Sequence, residues 1–223
     1  MSKPVPDDTD TLVTELRQSG AMKKDLSGRS FAGKDLSGIV FAFGKLVGAN
    51  LSGCKMHTCG FQRADLSSAN LSNVDVVQSV LRTATLVNAT LAGASFRDSG
   101  LMAADFTGAS APGLRLIDLV AVGTVFVRCD LSGASMRDVG LSRANFTQAN
   151  LKNAQLNRSR LIDANFADAV LDGTDFSETQ LFGADFSHAA IDKATFKGAK
   201  YDAATKWPKA PPEGAVFALN PND

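Results

Sequence analysis

The chain has 223 residues, and its 23 basic and 23 acidic side chains give a formal net charge of zero. A balanced charge gives no general reason to bind nucleic acid or a membrane surface, and no apolar run is long enough to span a bilayer. Three cysteines, an odd number in a chain of this size, favour a reducing compartment. The N-terminus lacks the apolar segment of a secretory signal, so the sequence predicts a cytoplasmic protein.

The first predicted element is a short helix over residues 8–20. Asp8, Thr9 or Asp10 can cap its N-terminus, and Gly20 can end it. Three residues give it one apolar face, namely Leu12, Val13 and Leu16. We expect residues 1–23 to form a tail and a helix that covers the start of the next region.

From Leu26 to Tyr201 a bulky residue occupies every fifth position without a break in phase. These 36 positions hold 18 Leu and 11 Phe, and only Ala111 and Ala121 are small. A small residue lies two positions before most of them, and it is Ala in 18 cases. Neither a helix, with a period of 3.6 residues, nor a strand, with a period of 2, gives a period of five. The pattern is therefore an internal repeat, which indicates a solenoid.

The repeats resemble those of the pentapeptide-repeat family. Residues 64–68 (ADLSS), 69–73 (ANLSN) and 184–188 (ADFSH) match its A(D/N)LXX consensus. The resemblance implies an all-β fold, a right-handed quadrilateral β-helix with four repeats to each coil of 20 residues. Thirty-six repeats would make about nine coils, and a spacing of about 4.8 Å would give a rod roughly 43 Å long. We expect this β-helix to span residues 24–203.

Residues 20 apart should stack in such a solenoid. Five phenylalanines at this spacing are expected to form one column inside the rod, namely Phe106, Phe126, Phe146, Phe166 and Phe186. Most of the aromatic residues are thereby assigned to the core, which leaves few for a cofactor site.

The array is irregular between residues 109 and 125. The interior positions hold Ala111 and Ala121, whereas the normally small positions hold Leu114 and Leu119. Because core volume is nearly conserved, the two leucines are expected to fill the vacated space. Pro112 should also remove a ladder donor and cause a bulge. A kink or bump that a partner recognises is the alternative interpretation.

Residues 204–223 are expected to form an extended, proline-rich C-terminal cap. The prolines there forbid a regular helix. Trp207 and Phe217 are the residues expected to cover the last coil, because an open solenoid end needs a cap.

The motifs of catalysis and metal binding are not assembled in this sequence. Cys54, His57 and Cys59 lie close together, but the repeat phase points both cysteines inward and the histidine outward. The glycines recur at repeat corners rather than in a phosphate-binding loop. We therefore predict no enzyme activity, no catalytic residue, no metal site and no cofactor.

Two surface features are candidates for partner binding. The first is an acidic row at 20-residue spacing, formed by Asp98, Asp118 and Asp138. It is interpreted either as a solvated, charge-balanced face or as a mimic of a nucleic-acid backbone. The second is an apolar partner face, for which the candidate residues are Val80, Met102, Val120, Val122, Ile162 and Phe182. Outward positions of a solenoid are normally polar, so a contiguous apolar patch indicates a partner site.

Function is predicted at the level of class. The first hypothesis is a non-catalytic scaffold, a monomer or weak homodimer that binds a protein partner and contacts neither nucleic acid nor membrane directly. The second comes from the resemblance, because some members of the family mimic DNA, bind type II topoisomerases such as DNA gyrase, and confer quinolone resistance. A third is an accessory domain of a larger catalytic assembly.

The sequence departs from the topoisomerase-binding members in three respects. Those members tend to be acidic, to dimerise through a C-terminal helical module, and to carry loops between coils. This chain is neutral, its tail is broken by proline, and its repeat phase has no insertion. A DNA mimic must compete with a polyanion, so the neutral charge is the strongest of these objections.

Overall fold

The computed structural model describes residues 8–219. The predicted tail at residues 1–7 and the last four residues of the predicted C-terminal cap, 220–223, lie outside the described residues. One helix, α1 (Asp8–Ser19), precedes the repeats. In the described part of the chain, no helix has the length and apolar character needed to cross a membrane.

The body of the protein is a ladder of parallel pairings between residues 20 apart. Pairs such as Asp25 with Lys45 recur at every fifth residue, so each 20-residue coil has four short sides. On one side the extended segments are long enough to form strands β1 (Lys55–His57), β2 (Asp75–Val77), β3 (Ser95–Arg97) and β4 (Arg115–Ile117). These four pair in chain order, in parallel. The predicted quadrilateral stack of 20-residue coils is confirmed.

The corners explain why a five-residue unit suffices. Every fifth residue from Lys23 to His188 has a φ between 50° and 79°. At most corners the N–H of the next residue donates to the carbonyl three residues earlier, as Ala64 does to Phe61 at 3.0 Å. This is the geometry of a type II turn, which requires a positive φ at its third residue. Gly113 after Pro112 meets the requirement without strain, whereas Phe43 adopts φ 59° with a bulky side chain.

The interior consists of four columns of stacked side chains. The predicted phenylalanine column is confirmed, with ring centroids 4.8–5.1 Å apart from Phe106 to Phe186. The column continues into Trp207, which stacks on Phe186 at 4.9 Å. These phenylalanines are fully buried, so the column supplies a large share of the hydrophobic stabilisation.

At some corners a buried serine hydroxyl replaces the backbone hydrogen bond of the turn. These serines lie at the same repeat position in different coils. Ser79 is buried, and its Oγ accepts the N–H of Cys59 at 2.9 Å and donates to the carbonyl of Met56 at 2.8 Å. Ser159 does the same for Val139 and Met136. At these corners a side chain of the next coil satisfies a donor that a turn would otherwise satisfy.

The irregular region confirms one expectation and corrects another. Ala111, Ala121 and Leu114 are fully buried, and Leu119 is nearly so, as expected if the leucines fill the space. The bulge predicted at Pro112 is wrong. The ladder continues through it, since Ala111 N donates to Asp130 O and Gly113 N to Ser132 O, both at 2.8 Å. Pro112 occupies the repeat position whose N–H takes no part in the ladder, so its missing donor breaks nothing.

The two ends are closed differently. Val13 and Leu16 of α1 are buried in the core cluster, and Arg17 donates to the carbonyl of Asp35. At the other end the register changes by one residue, because Asp185 pairs with Lys206. Strands β5 (Lys200–Tyr201) and β6 (Val216–Phe217) then pair in parallel. Trp207 packs on the core as predicted, but Phe217 is 53% exposed and contacts Tyr201 only at the edge.

Candidate functional site

One surface position distinguishes the sides of the rod. It is the residue immediately before each interior residue, here called the leading position. On three sides it is commonly Asp, Asn, Ser or Thr. The Asp and Asn side chains accept the N–H two residues later, as Asp65 Oδ1 does from Ser67 at 3.0 Å and Asn145 Oδ1 from Thr147 at 3.0 Å. These sides are therefore mostly polar, and at many of the positions that hold Asp or Asn the N–H two residues later is satisfied locally.

The leading positions of the fourth side alternate between valine and glycine. This Val–Gly strip consists of Val40, Gly60, Val80, Gly100, Val120 and Gly140, which pair with one another in consecutive coils. The three valines are exposed, Val120 by 53%. The strip carries no charge over six coils, whereas leading positions elsewhere hold Asp, Lys or Arg.

The strip's glycines are not all required by the backbone. Gly100 and Gly140 lack the positive φ of the corner glycines. A Cβ at Gly100 would meet only Val80 Cγ1 at 4.0 Å, and one at Gly140 would meet Val120 at 3.6 Å, both ordinary contacts. At Gly60 the Gln62 side chain lies across the space, 2.9 Å from a Cβ. Gly100 and Gly140 thus leave hollows between valine ridges without being needed for the fold, whereas Gly60 is buried beneath the Gln62 side chain.

The predicted partner face lies largely on this side. Val80, Met102 and Val120 are exposed, and Val122 and Ile162 are partly exposed. Phe182, expected at the centre of the patch, is only 3% exposed, so it is a packed residue and not a surface anchor. Sequence reasoning missed the glycines, although writing the sequence in rows of 20 would have shown the alternation.

Backbone donors are also left open on this side. The leading valines and glycines have no side-chain acceptor for the N–H two residues later. Within the described residues, the N–H groups of Met102 and Val122 have no protein acceptor. The side therefore combines apolar ridges with donors that water or a partner can satisfy.

The predicted acidic row lies at the corner beside the strip, in three consecutive coils. Asp98 and Asp118 have φ 50° and Asp138 has φ 57°. Arg158, in the next coil, forms a bidentate contact with Asp138 at 2.8 and 2.7 Å. This hydrogen bonding lowers the pKa of the Asp138 carboxyl, and the nearby charges of Arg158 and Arg137 act in the same direction. One of the three carboxylates is thus neutralised.

The cysteine and histidine residues do not form a reactive site. Cys54, Cys59 and Cys129 are buried free thiols. Burial raises their pKa values to about 11, 11 and 12, which disfavours the thiolate needed for metal binding or nucleophilic attack. His57 Nε2 lies on the surface, 3.0 Å from Asp75 Oδ2. In residues 8–219 no three such side chains converge as metal ligands.

A groove of about 940 Å³ lies between the last coil and the C-terminal tail. Ile191, Phe196, Pro208 and Pro212 supply much of its apolar lining. It exists because the tail pairs with the coil at Asp185 and at Lys200–Tyr201, but in the described residues no bridge joins it to residues 190–195. The groove is thus a gap in the cap.

Parallel pairing at 20-residue spacing, four corners to a coil and a filled interior define a β-helical solenoid. The chain belongs to the pentapeptide-repeat family. The family model, Pentapeptide repeats, matches in eight copies within residues 25–57, 59–98, 99–138, 124–161, 140–177 and 159–198. The fold of this family is the right-handed β-helix expected from the repeats.

One solved structure agrees with this fold. The chain is similar to HetL, a pentapeptide repeat protein involved in heterocyst differentiation regulation in the cyanobacterium Nostoc sp. strain PCC 7120, with 23% identity and a TM-score of 0.52 over 92% of this chain and 95% of HetL. It is also similar to a trypsin-treated form of QnrB1, a plasmid-mediated fluoroquinolone resistance protein, with 20% identity and a TM-score of 0.42 over 89% and 93% of the two chains. A search of curated proteins gives no match.

Proposed function

We propose that this protein is a non-catalytic, protein-binding scaffold of the cytoplasm, and that it binds through the side that carries the Val–Gly strip. The observation that supports the proposal is the contrast among its sides. Three present mostly polar leading residues, and many of the Asp and Asn side chains among them accept a hydrogen bond from the N–H two residues later. The fourth presents exposed valines, Met102 and open N–H donors at the same backbone positions. A contiguous uncharged patch on a surface is a feature of protein interaction sites.

The rigid core makes this side suitable as a preformed interface. Each exposed residue is flanked by buried interior residues, and each coil is tied to the next by backbone hydrogen bonds. Little conformational entropy is therefore lost at this surface when a partner binds. The three buried thiols have no exposed sulfur for a disulfide, which is consistent with a reducing compartment.

The test compares two lysine substitutions at leading positions on different sides. Val120→Lys places a charge in the strip, and Ser110→Lys places the same charge on another side. Lys45 and Lys55 occupy such positions in the native chain, so both variants should fold. We expect partner binding, measured by quantitative capture on the immobilised protein, to be lost for Val120→Lys alone. Equal capture by both variants would refute the assignment of the side.

A second candidate function is binding to a type II topoisomerase through the acidic row. The observation that favours it is the stacking of Asp98 and Asp118 in consecutive coils, which places carboxylates at a regular spacing. The ion pair between Asp138 and Arg158 counts against it, because it shortens the row of free negative charge.

Gyrase supercoiling in the presence of a fluoroquinolone tests the second candidate. Titration with the wild-type protein is compared with titration of an Asp98→Lys/Asp118→Lys double variant. Restored supercoiling that the double variant fails to give would support topoisomerase binding through the row. Absence of restoration by the wild type would exclude this candidate and leave the scaffold.

A further inference from the structure

We propose that the Val–Gly strip binds a second copy of this chain, in an antiparallel two-fold dimer. This rests on the proposed function, since it names the protein that the strip fits. The ridges recur every second coil, at roughly 9.6 Å. A second strip of the same repeat has the same spacing, whereas the 5.4 Å pitch of an α-helix does not match it.

The order of the strip makes it complementary to itself when reversed. Along the rod the strip reads Val, Gly, Val, Gly, Val, Gly, and reversal exchanges each residue type for the other. With a two-fold axis between the coils of Val80 and Gly100, Val80 meets the hollow at Gly100 of the second copy. Val120 then meets Gly60, and Val40 meets Gly140. Val80 and Val40 are placed in open hollows, and Val120 reaches Gly60 when the flexible Gln62 side chain moves aside. Each valine then faces a glycine, as the self-complementary patch of an isologous dimer requires.

The borders of the strip are compatible with the same register. Asp98 falls opposite Gln78, Asp118 opposite Thr58, and Asp138 opposite Gly38 of the second copy. No carboxylate therefore meets another across the axis.

The opposite border adds attractive pairs. Lys23 falls opposite Asp163, and Phe43 falls opposite Arg143. Asp163 and Arg143 form an exposed ion pair at 3.7 Å within each monomer. The exposed Phe43 ring already receives a guanidinium in the monomer, since Arg63 Cζ lies 5.7 Å from its centroid. Two positions after each leading residue of this side lies another outward column. In this column the exposed Met22 falls opposite the partly exposed Ile162. Opposite charges, a cation–π contact and an apolar pair thus coincide in one register.

Two strips aligned in parallel lose this fit. Each valine would meet the equivalent valine, and each hollow would meet a hollow. Ridge contact would then hold the glycine surfaces apart, which leaves voids that forfeit packing. The antiparallel arrangement is the one that uses all six residues.

The first experiment measures dimerisation by sedimentation equilibrium of the full chain over a concentration series. Gly100→Val fills the central hollow, and the monomer should accept it because Val80 and Val120 occupy equivalent positions. We expect the dissociation constant to rise about tenfold or more, because two ridge-on-ridge contacts arise at the axis. Ser110→Val, on another side in a column that holds Val170, is the matched control and should leave it unchanged.

A swap of the two central residues sharpens this experiment. Val80→Gly combined with Gly100→Val again places each valine opposite a glycine in the antiparallel register. We expect the double variant to recover most of the affinity that Gly100→Val loses. If the double variant does not recover dimer affinity, although circular dichroism shows that it and Gly100→Val are folded, the proposed register is wrong.

Disulfide trapping tests the direction of the chains. Val40 and Gly140 are five coils apart in one chain, roughly 24 Å, so cysteines there cannot bond within a molecule. A Val40→Cys/Gly140→Cys variant should form a covalent dimer under mild oxidation, while Val40→Cys alone should stay monomeric. The three native thiols are buried and should not interfere. A covalent dimer of Val40→Cys alone would indicate parallel chains and refute the proposal.

Two outcomes separate this inference from the proposed function. A wild-type chain that stays monomeric throughout the concentration series refutes self-association. If Val120→Lys still loses capture of another protein in that case, the side is a scaffold surface for a different partner. If neither dimer nor selective capture is found, both proposals fail.

Discussion

The phenylalanine column and the Val–Gly strip are both apolar rows at 20-residue spacing, but only one of them is covered by the chain. The column from Phe106 to Phe186 is enclosed by four sides and stacks ring on ring. The strip lies on the outside of the same rod and overlaps the column in the coils of Val120 and Gly140, with Val120 half exposed. The comparison shows that the repeat separates two roles. Interior positions hold the rod together, and leading positions can vary without changing the backbone.

The largest expected effect is at the interior column. Phe146→Ala should lower the free energy of unfolding by about 3–5 kcal/mol, because it removes a fully buried ring between Phe126 and Phe166 and leaves a cavity. Val120→Ala, in the strip, should change it by less than about 0.5 kcal/mol. Both changes in the free energy of unfolding are measured by urea unfolding, at a protein concentration low enough for the chain to be monomeric. Similar costs for the two variants would remove the distinction between column and strip.

An intermediate effect is expected at the buried serine column. Ser79→Ala leaves the buried N–H of Cys59 without its acceptor and removes the bond to Met56. Loss of one buried partner costs about 1–3 kcal/mol. The control is Ser110→Ala on the surface, which should be neutral within about 0.5 kcal/mol. Equal stability of the two variants in urea unfolding would show that water or a local shift replaces the Ser79 hydroxyl.

Most of the fold could be predicted from the sequence because the repeat phase fixes the environment of each position. A bulky residue at every fifth position identifies the interior, and a short helix ending at Ser19 before Gly20 identifies the N-terminal cap. The bulge at Pro112 was predicted wrongly because the general rule for proline in sheets assumes that its N–H belongs to the ladder. In this repeat the N–H of that position points away from the ladder, and Asp or Asn side chains accept it elsewhere.

The C-terminal end and the surface were less predictable. One extra residue moves Trp207 into the interior column and Lys206 into the ladder, and no local pattern marks that shift. Phe182 was expected at the surface because its repeat position is outward, yet it is buried. Packing near an end depends on how the cap folds back, which the five-residue period does not specify. The Val–Gly alternation was present in the sequence but becomes visible only when residues 20 apart are compared.

The smallest expected effect is at the corner beside the strip, where charges are solvated. The contact from Arg158 lowers the pKa of Asp138, so this carboxylate stabilises the fold above its unfolded pKa, and the contribution is lost as pH falls through the lower, folded value. Because both side chains are about half exposed, solvent screening limits the contribution to about 0.5 kcal/mol or less. Asp138→Asn should therefore be slightly less stable than the wild type at neutral pH.

The same variant should match the wild type once the pH is below the lowered pKa of the folded Asp138 carboxyl, since the native carboxylate is then protonated as well. Urea unfolding at neutral and at acidic pH measures both differences, with Asp118→Asn as the control that removes a carboxylate without an ion pair among the described residues. A loss of several kcal/mol at neutral pH would mean that the acidic corner belongs with the interior column as a structural element. A small, pH-dependent loss of stability would instead show that the acidic corner, like the strip, contributes little to the fold and can vary for binding.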